Sequence, residues 1–255
     1  MITAGVDCGS KNVRVVILRE GEILAKATVS AGMDTPAAAQ QAYDRALSEG
    51  GITSDDVEKV VATGAGRHEP KFKNDIVTEV GADARGAIHL FPEARTVIDV
   101  GAEEGRAIKI DAQGKVVDFA INEKCAAGAG AFTEAMARAL EVELEELGRL
   151  SLESTQAIPM NAQCAVFAES EVVTLVHKKT PKPDMARAIH DAIADRITSM
   201  VRRVGIEEKV ALIGGVAYNV GFVKSLEEDL GTKVLIPEDP QFVGALGAAL
   251  VAVDR

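Results

Sequence analysis

The chain has 255 residues and a formal net charge of −11, a balance that argues against a nucleic-acid backbone as main partner. Apolar residues make up 47%, enough for a substantial core in one large domain or two lobes. No apolar run approaches the roughly 20 residues of a membrane span. The opening Met1-Ile2-Thr3-Ala4-Gly5 lacks the basic region and apolar stretch of a signal peptide, so a cytoplasmic protein is expected. Three cysteines in that compartment are not expected to pair as structural disulfides. Taken singly, each reads as a buried small hydrophobe or an inert thiol.

Residues 2–8 are an apolar strand ending in Asp7-Cys8-Gly9-Ser10-Lys11. A strand at 13–18, a turn at Glu20-Gly21 and a strand at 23–29 follow. The Gly/Ser turn therefore lies in a β-hairpin, which excludes the strand–loop–helix layout of Walker and dinucleotide-binding loops. An alanine-rich helix is predicted from Pro36 to Leu47, a strand over 57–63 ended by Gly64-Ala65-Gly66, and a helix over 80–90. The pattern then restarts. Strand 95–102 ends in Asp99-Val100-Gly101-Ala102, and strands at 106–110 and 116–121 flank a turn at Gln113-Gly114. The same order in both halves reads as an internal duplication.

Next comes Lys124-Cys125-Ala126-Ala127-Gly128-Ala129-Gly130, followed by a helix with Phe132, Met136 and Leu140 on one face. Gln163-Cys164-Ala165 puts a second cysteine at a predicted helix start. Such starts favour anionic groups: a phosphate, a thiolate or a metal–thiolate cluster. The run Glu141 to Glu146 reads as a solvated helix face. His68, His89, His177 and His190 lack ligand spacing and read as surface or helix-face residues, and Lys178-Lys179-x-Pro181-Lys182 as an ordinary loop. A long helix capped by Asp184 buries Met185, Ile189, Ile193, Ile197 and Val201, and Gly205 stops it. Strand 209–213 runs into Gly214-Gly215-Val216-Ala217-Tyr218-Asn219, and a helix to Leu230, a strand over 234–236 and a helix from about Gln241 complete the chain.

Each Asp-x-Gly turn alone reads equally well as a tight hairpin. Two copies at equivalent points of a duplicated unit point to phosphate binding. Gly9, Ser10, Lys11, Gly101 and Ala102 would meet the phosphates through backbone and side-chain donors. Asp7 would hold Mg²⁺ through water, since that ion keeps much of its hydration shell. Gly214-Gly215 reads either as a strand-to-helix turn or as a glycine turn against an adenosine.

The paired hairpins and the later Gly-Gly turn resemble the actin, Hsp70 and sugar-kinase ATPases. That resemblance implies an α/β, duplicated actin-like (ribonuclease H-like) fold of two lobes with the nucleotide between them. Residues 1–94 would form the N-terminal lobe with the first phosphate hairpin. Residues 95–255 would form the C-terminal lobe with the second hairpin, the cysteines and the adenosine motif, the final helix being able to pack back on the first lobe. Lys124-Cys125-Ala126-Ala127-Gly128-x-Gly130, Cys164-x-Val166-Phe167-Ala168-Glu169-Ser170-Glu171, Gly214-Gly215-Val216-Ala217-x-Asn219 and Gly244-Ala245-Leu246-Gly247-Ala248-Ala249 resemble the 2-hydroxyacyl-CoA dehydratase activators and benzoyl-CoA reductase ATPase subunits.

The resemblance covers essentially the whole chain. It implies an ATP-dependent electron activase with Cys125 and Cys164 as ligands to a [4Fe-4S] cluster. It further implies Asp7, Asp99 and Glu103 as catalytic, Gly128 and Gly130 beside the cofactor, and Gly214, Gly215 and Asn219 at the adenosine. Four thiolates are needed for such a cluster, so two ligands per chain imply one cluster per dimer. The other implied partners are a ferredoxin-like donor and the subunits that bind the CoA thioester. The activators usually carry Asp-x-Gly-Gly-Gln-Asp at the second hairpin. Asp99-Val100-Gly101-Ala102-Glu103-Glu104 departs from this and is more similar to one of two unlike benzoyl-CoA reductase subunits. A benzoyl-CoA reductase ATPase subunit in a heterodimer is therefore the leading expectation. A dehydratase activator is the alternative, and a small-molecule kinase or an actin-like assembly protein the more distant ones.

Overall fold

The computed structural model describes residues 1–122, 130–160 and 165–254. Strands β1 (Ile2–Cys8), β2 (Asn12–Arg19) and β3 (Glu22–Ser30) form a meander, followed by α1 (Thr35–Gly50), β4 (Lys59–Thr63), β5 (Asp75–Ile76) and α2 (Glu79–Leu90). The second series is β6 (Thr96–Val100), β7 (Gly105–Ile110) and β8 (Val116–Asn122), then α3 (Gly130–Ala139), α4 (Leu144–Leu152), α5 (Ala165–His177) and α6 (Lys182–Val204). Strand β9 (Val210–Ile213), α7 (Val220–Leu230), β10 (Val234–Leu235) and α8 (Val243–Asp254) end it. No described helix is long and apolar enough to cross a membrane.

The two sheets have the orders β3-β2-β1-β4-β5 and β10-β9-β6-β7-β8. Read from opposite ends, they are one arrangement used twice. In each, an antiparallel meander is extended by a parallel strand that returns through helices. Two compact units result: Met1–Ala94 with Ile110–Val117 and Gln241–Arg255, and Arg95–Lys109 with Asp118–Pro240.

In the first unit, side-chain alternation divides β1 between two helical layers. Ala4, Val6 and Cys8 join the core under α1. Thr3 and Gly5 face α8: the Thr3 hydroxyl donates to the Ala249 carbonyl at 3.1 Å. A Cβ on Gly5 would stand 2.0 Å from the Ala245 carbonyl oxygen. Helix α8 is apolar on all sides and lies between this sheet and α2, which explains its small residues. A Cβ on Gly247 would fall 1.8 Å from the Ala82 carbonyl oxygen.

In the second unit, Ile98, Val100 and Ala107 from the sheet meet Phe132, Met136, Ile189, Ile193 and Ile197 from α3 and α6. Each such fully buried side chain contributes about 1.5–3 kcal/mol. The expected stripe of α6 is buried throughout and Gly205 caps its C-terminus, but Asp184 is not its N-cap. The helix begins at Lys182, after Pro181. Asp184 turns instead to the 154–156 segment, accepting from the Thr155 and Gln156 N–H groups and the Ser154 hydroxyl. Proline at the cap position displaced the residue that sequence preference would place there. Two further expectations hold only in part. The glutamates of 141–146 are exposed, but the run straddles the break between α3 and α4, with Glu141 at φ 53. His190 lies on a helix face but is fully buried between α4, α6 and α7.

Candidate nucleotide site

Both Asp-x-Gly turns are built by the same register. In the first unit, Asp7 stands opposite Arg14 on β2 and beside Thr63 on β4. Alternation turns its carboxylate toward the α8 side. There a Cβ on Gly244 would lie 3.6 Å from Asp7 Oδ2 and 3.2 Å from Oδ1 of the buried Asp83. In the second, Asp99 stands opposite Arg106 on β7 and beside Ile213 on β9. Each turn is closed by the same bond, Gly9 N–H to the Asn12 carbonyl at 3.1 Å and Gly101 N–H to the Glu104 carbonyl at 2.9 Å.

Each aspartate is also backed by a glycine, to which sequence reasoning assigned a site role in only one half. Gly214, at φ 87, follows Ile213; a Cβ there would stand 2.4 Å from Asp99 Oδ1. Gly64, at φ 88, follows Thr63; a Cβ there would stand 2.6 Å from Asp7 Oδ1. Left-handed backbone and lack of room both require glycine at these positions. The two arginines were also missed, although both lie seven residues after their aspartates. They differ in contact: Arg14 Nη1 is 3.9 Å from Asp7 Oδ2, whereas Arg106 Nη1 donates to Asp99 Oδ2 at 2.6 Å and Nη2 pairs with Glu104.

Ser10, Lys11 and Glu103 are exposed, and Gly9, Gly101 and Ala102 are partly so. At the Gly-Gly turn, Gly215 is exposed and a Cβ there would meet nothing within 4 Å. Asn219 has a local duty. Its Oδ1 caps α7, accepting from the N–H groups of Gly221 at 3.0 Å and Phe222 at 3.1 Å. Burial, then the charge of Asp7, pushes the Cys8 thiol up to about 12, so Cys8 stays a protonated packing residue.

Cys125, Cys164 and Gly128 lie outside the described residues, but the helices that follow them are described. The first N–H groups of α3 do not point into open space. Gly130 N–H donates to the Gly101 carbonyl and Ala131 N–H to the Ala102 carbonyl, both at 2.8 Å. The helix start next to the first cysteine segment is therefore docked on the second hairpin, a contact its expected role as an anion-facing dipole did not foresee. Glycine and alanine on both sides make the approach possible. A Cβ on Gly130 would already crowd Val216 Cγ2 at 3.2 Å and the Gly101 oxygen at 3.3 Å. Helix α5 buries Ala168 and Val172 and exposes Phe167, Val173 and Val176.

The model of the BadF/BadG/BcrA/BcrD ATPase family matches residues 4–252. The chain is 38% identical over 256 residues to the 2-hydroxyisocaproyl-CoA dehydratase activator of Clostridioides difficile, covering 100% of this chain and 96% of that protein. It is 36% identical over 261 residues to a benzoyl-CoA reductase subunit from Thauera aromatica, covering 98% and 92%. The solved structure of the activator of the 2-hydroxyisocaproyl-CoA dehydratase from Clostridium difficile with bound ADPNP matches with a TM-score of 0.94 at 37% identity, over 100% of this chain and 95% of that one. The duplicated sheet order is thus that of the actin-like ATPase fold. Whole-chain coverage at this identity decides membership: the chain belongs to the BadF/BadG/BcrA/BcrD ATPase family.

Proposed function

We propose that the chain is an ATP-driven electron activase, and specifically the activator of a 2-hydroxyacyl-CoA dehydratase. The observation that carries the activase reading is the pair of backbone bonds from Gly130 and Ala131 to Gly101 and Ala102, and the relatives named as dehydratase activators support the choice of partner. They tie a phosphate-type hairpin to the helix that follows the first cysteine segment. A change in the hairpin on nucleotide hydrolysis must move that helix start or break two hydrogen bonds. Relatives named as dehydratase activators match the full chain at 37–38% identity, and one was solved with ADPNP; both support ATP as the ligand here.

On this reading, Gly9, Ser10, Lys11, Gly101 and Ala102 cradle phosphates, and Gly214, Gly215 and Asn219 lie against the adenosine. Asp7 and Asp99 organise Mg²⁺ and the attacking water, and Glu103 takes the acid–base role on the exposed edge of the second turn. The two aspartates are not equivalent. Arg106 donates to Asp99 at 2.6 Å, while Arg14 lies 3.9 Å from Asp7. Cys125 and Cys164 are the ligands assigned to a [4Fe-4S] cluster, completed by two thiolates of a second chain. Such a cluster, when bound, supplies a low-potential one-electron donor.

The second reading, an ATPase subunit of a benzoyl-CoA reductase, is favoured by the Ala102-Glu103 departure in the second hairpin. Anaerobic protein mixed with a reduced ferredoxin-type donor, ATP and either component separates the two. Dehydration of a 2-hydroxyacyl-CoA by the dehydratase component is the expected result. Activation of the reductase component alone would transfer the assignment, and iron-free protein that phosphorylates sugars would end both.

A further inference from the structure

The second hairpin carries an electrostatic difficulty that the first does not. Aligned on their aspartates, Gly9-Ser10-Lys11-Asn12 includes a cation and no acid, whereas Gly101-Ala102-Glu103-Glu104 includes two carboxylates. A nucleotide polyphosphate would bring further negative charge to that turn, and repulsion between partly buried charges is strong. Arg106, only 8% exposed, meets this difficulty directly. One guanidinium nitrogen holds Asp99 at 2.6 Å and another holds Glu104. The duplication supplies an internal comparison. Arg14 occupies the same register with Asn12 in place of Glu104, and it stays 3.9 Å from its aspartate. The arginine closes over the turn in the copy whose turn is acidic.

We propose that Arg106 is a positioning residue of the nucleotide site, drawing the Glu104 carboxylate against the strand and lowering the negative charge of the turn so that it can accept phosphate. This rests on the assignment of the second hairpin to the nucleotide. The rest of the inference is local: with Arg106 gone, Glu104 is released toward the turn and repels the phosphates. Removal of Glu104 should then relieve much of the damage, an effect that loss of packing alone would not produce. Arg106→Lys retains the charge but not the two-pronged geometry, so it should fall between wild type and Arg106→Gln.

Calorimetric binding of Mg²⁺·ADPNP to the anaerobically purified full chain tests this. Arg106→Gln is expected to weaken binding about tenfold or more, as truncating one partner of a buried charge pair does. Adding Glu104→Gln to that variant should recover about threefold or more of the loss. Wild-type affinity in Arg106→Gln, or no recovery in the double variant, overturns the inference while leaving the nucleotide site standing. Should Arg106→Gln not fold, the charge-matched double variant decides: affinity within about fivefold of wild type supports the proposal, and a greater loss overturns it. Wild-type protein that fails to bind the nucleotide at all refutes the underlying assignment as well.

Discussion

At the scale of single residues, the aspartates were legible and their supports were not. Asp7 and Asp99 stand out because Asp-x-Gly recurs at the end of two similar apolar strands. The roles of Gly64, Arg14 and Arg106 become visible only when strand register places them against those carboxylates. Asp7→Asn and Asp99→Asn should each lower ATP turnover by about a hundredfold, with a much smaller effect on nucleotide affinity, which also draws on the backbone of the turns. Steady-state hydrolysis beside calorimetric affinity measures this; unchanged turnover in both variants would move the active site elsewhere.

His190 has a different consequence. Burial lowers its pKa from 6.5 to about 4, and the Ala186 carbonyl one turn back opposes this only in part. Neither ring nitrogen has a hydrogen-bond partner of good geometry among the described residues. Between those two values the unfolded chain binds a proton that the folded chain refuses. Stability is therefore fully present above pH 6.5 and is lost as pH falls toward 4, by up to about 3 kcal/mol. Urea unfolding at pH 7 and pH 5 should show wild type losing about 2 kcal/mol more than His190→Gln. Parallel losses in the two proteins would contradict the assignment.

At the scale of elements, the apolar periodicity located the principal helices but not their ends or their neighbours. Pro181 rather than Asp184 precedes α6, because Asp184 finds better partners in the 154–156 segment. The docking of α3 on the second hairpin has no periodic signature at all, since it consists of backbone groups exposed by small side chains. Gly130→Val would crowd Val216 and the Gly101 carbonyl and should separate hydrolysis from electron delivery. ATP turnover is expected within about threefold of wild type, with at least a tenfold loss of partner activation per ATP hydrolysed. An equal fall in both would mean that the contact is structural only. Helix α8 makes a plainer case. Gly247→Leu would drive a side chain into the Ala82 backbone and should cost about 3 kcal/mol or more, read as a lower thermal midpoint; an unaltered midpoint would contradict the packing described.

At the scale of the whole molecule, the duplication was the most legible feature. It extends below the level of element order. Two sheets share a strand order, two aspartates share a register, and two glycines at φ 87 and 88 close on them. Such a repeat is readable because each half must solve the same problem, a carboxylate held at the end of a central strand. The divergence of the turns, Lys11 in the first against Glu103 and Glu104 in the second, is written in the sequence. What the sequence could not convey is that Arg106 comes within hydrogen-bond distance of its aspartate at 2.6 Å while Arg14 stays at 3.9 Å.

The proposed function links ATP at the hairpins to electron release from a cluster assigned to Cys125 and Cys164. Stopped-flow absorbance of anaerobic, pre-reduced protein mixed with a 2-hydroxyacyl-CoA dehydratase component reads that link directly. The visible iron–sulfur absorption should return to its oxidised form rapidly with Mg²⁺·ATP and at least about a hundredfold more slowly with ADP. Equal rates with both nucleotides, or protein that lacks the iron–sulfur band while hydrolysing ATP normally, would contradict the account.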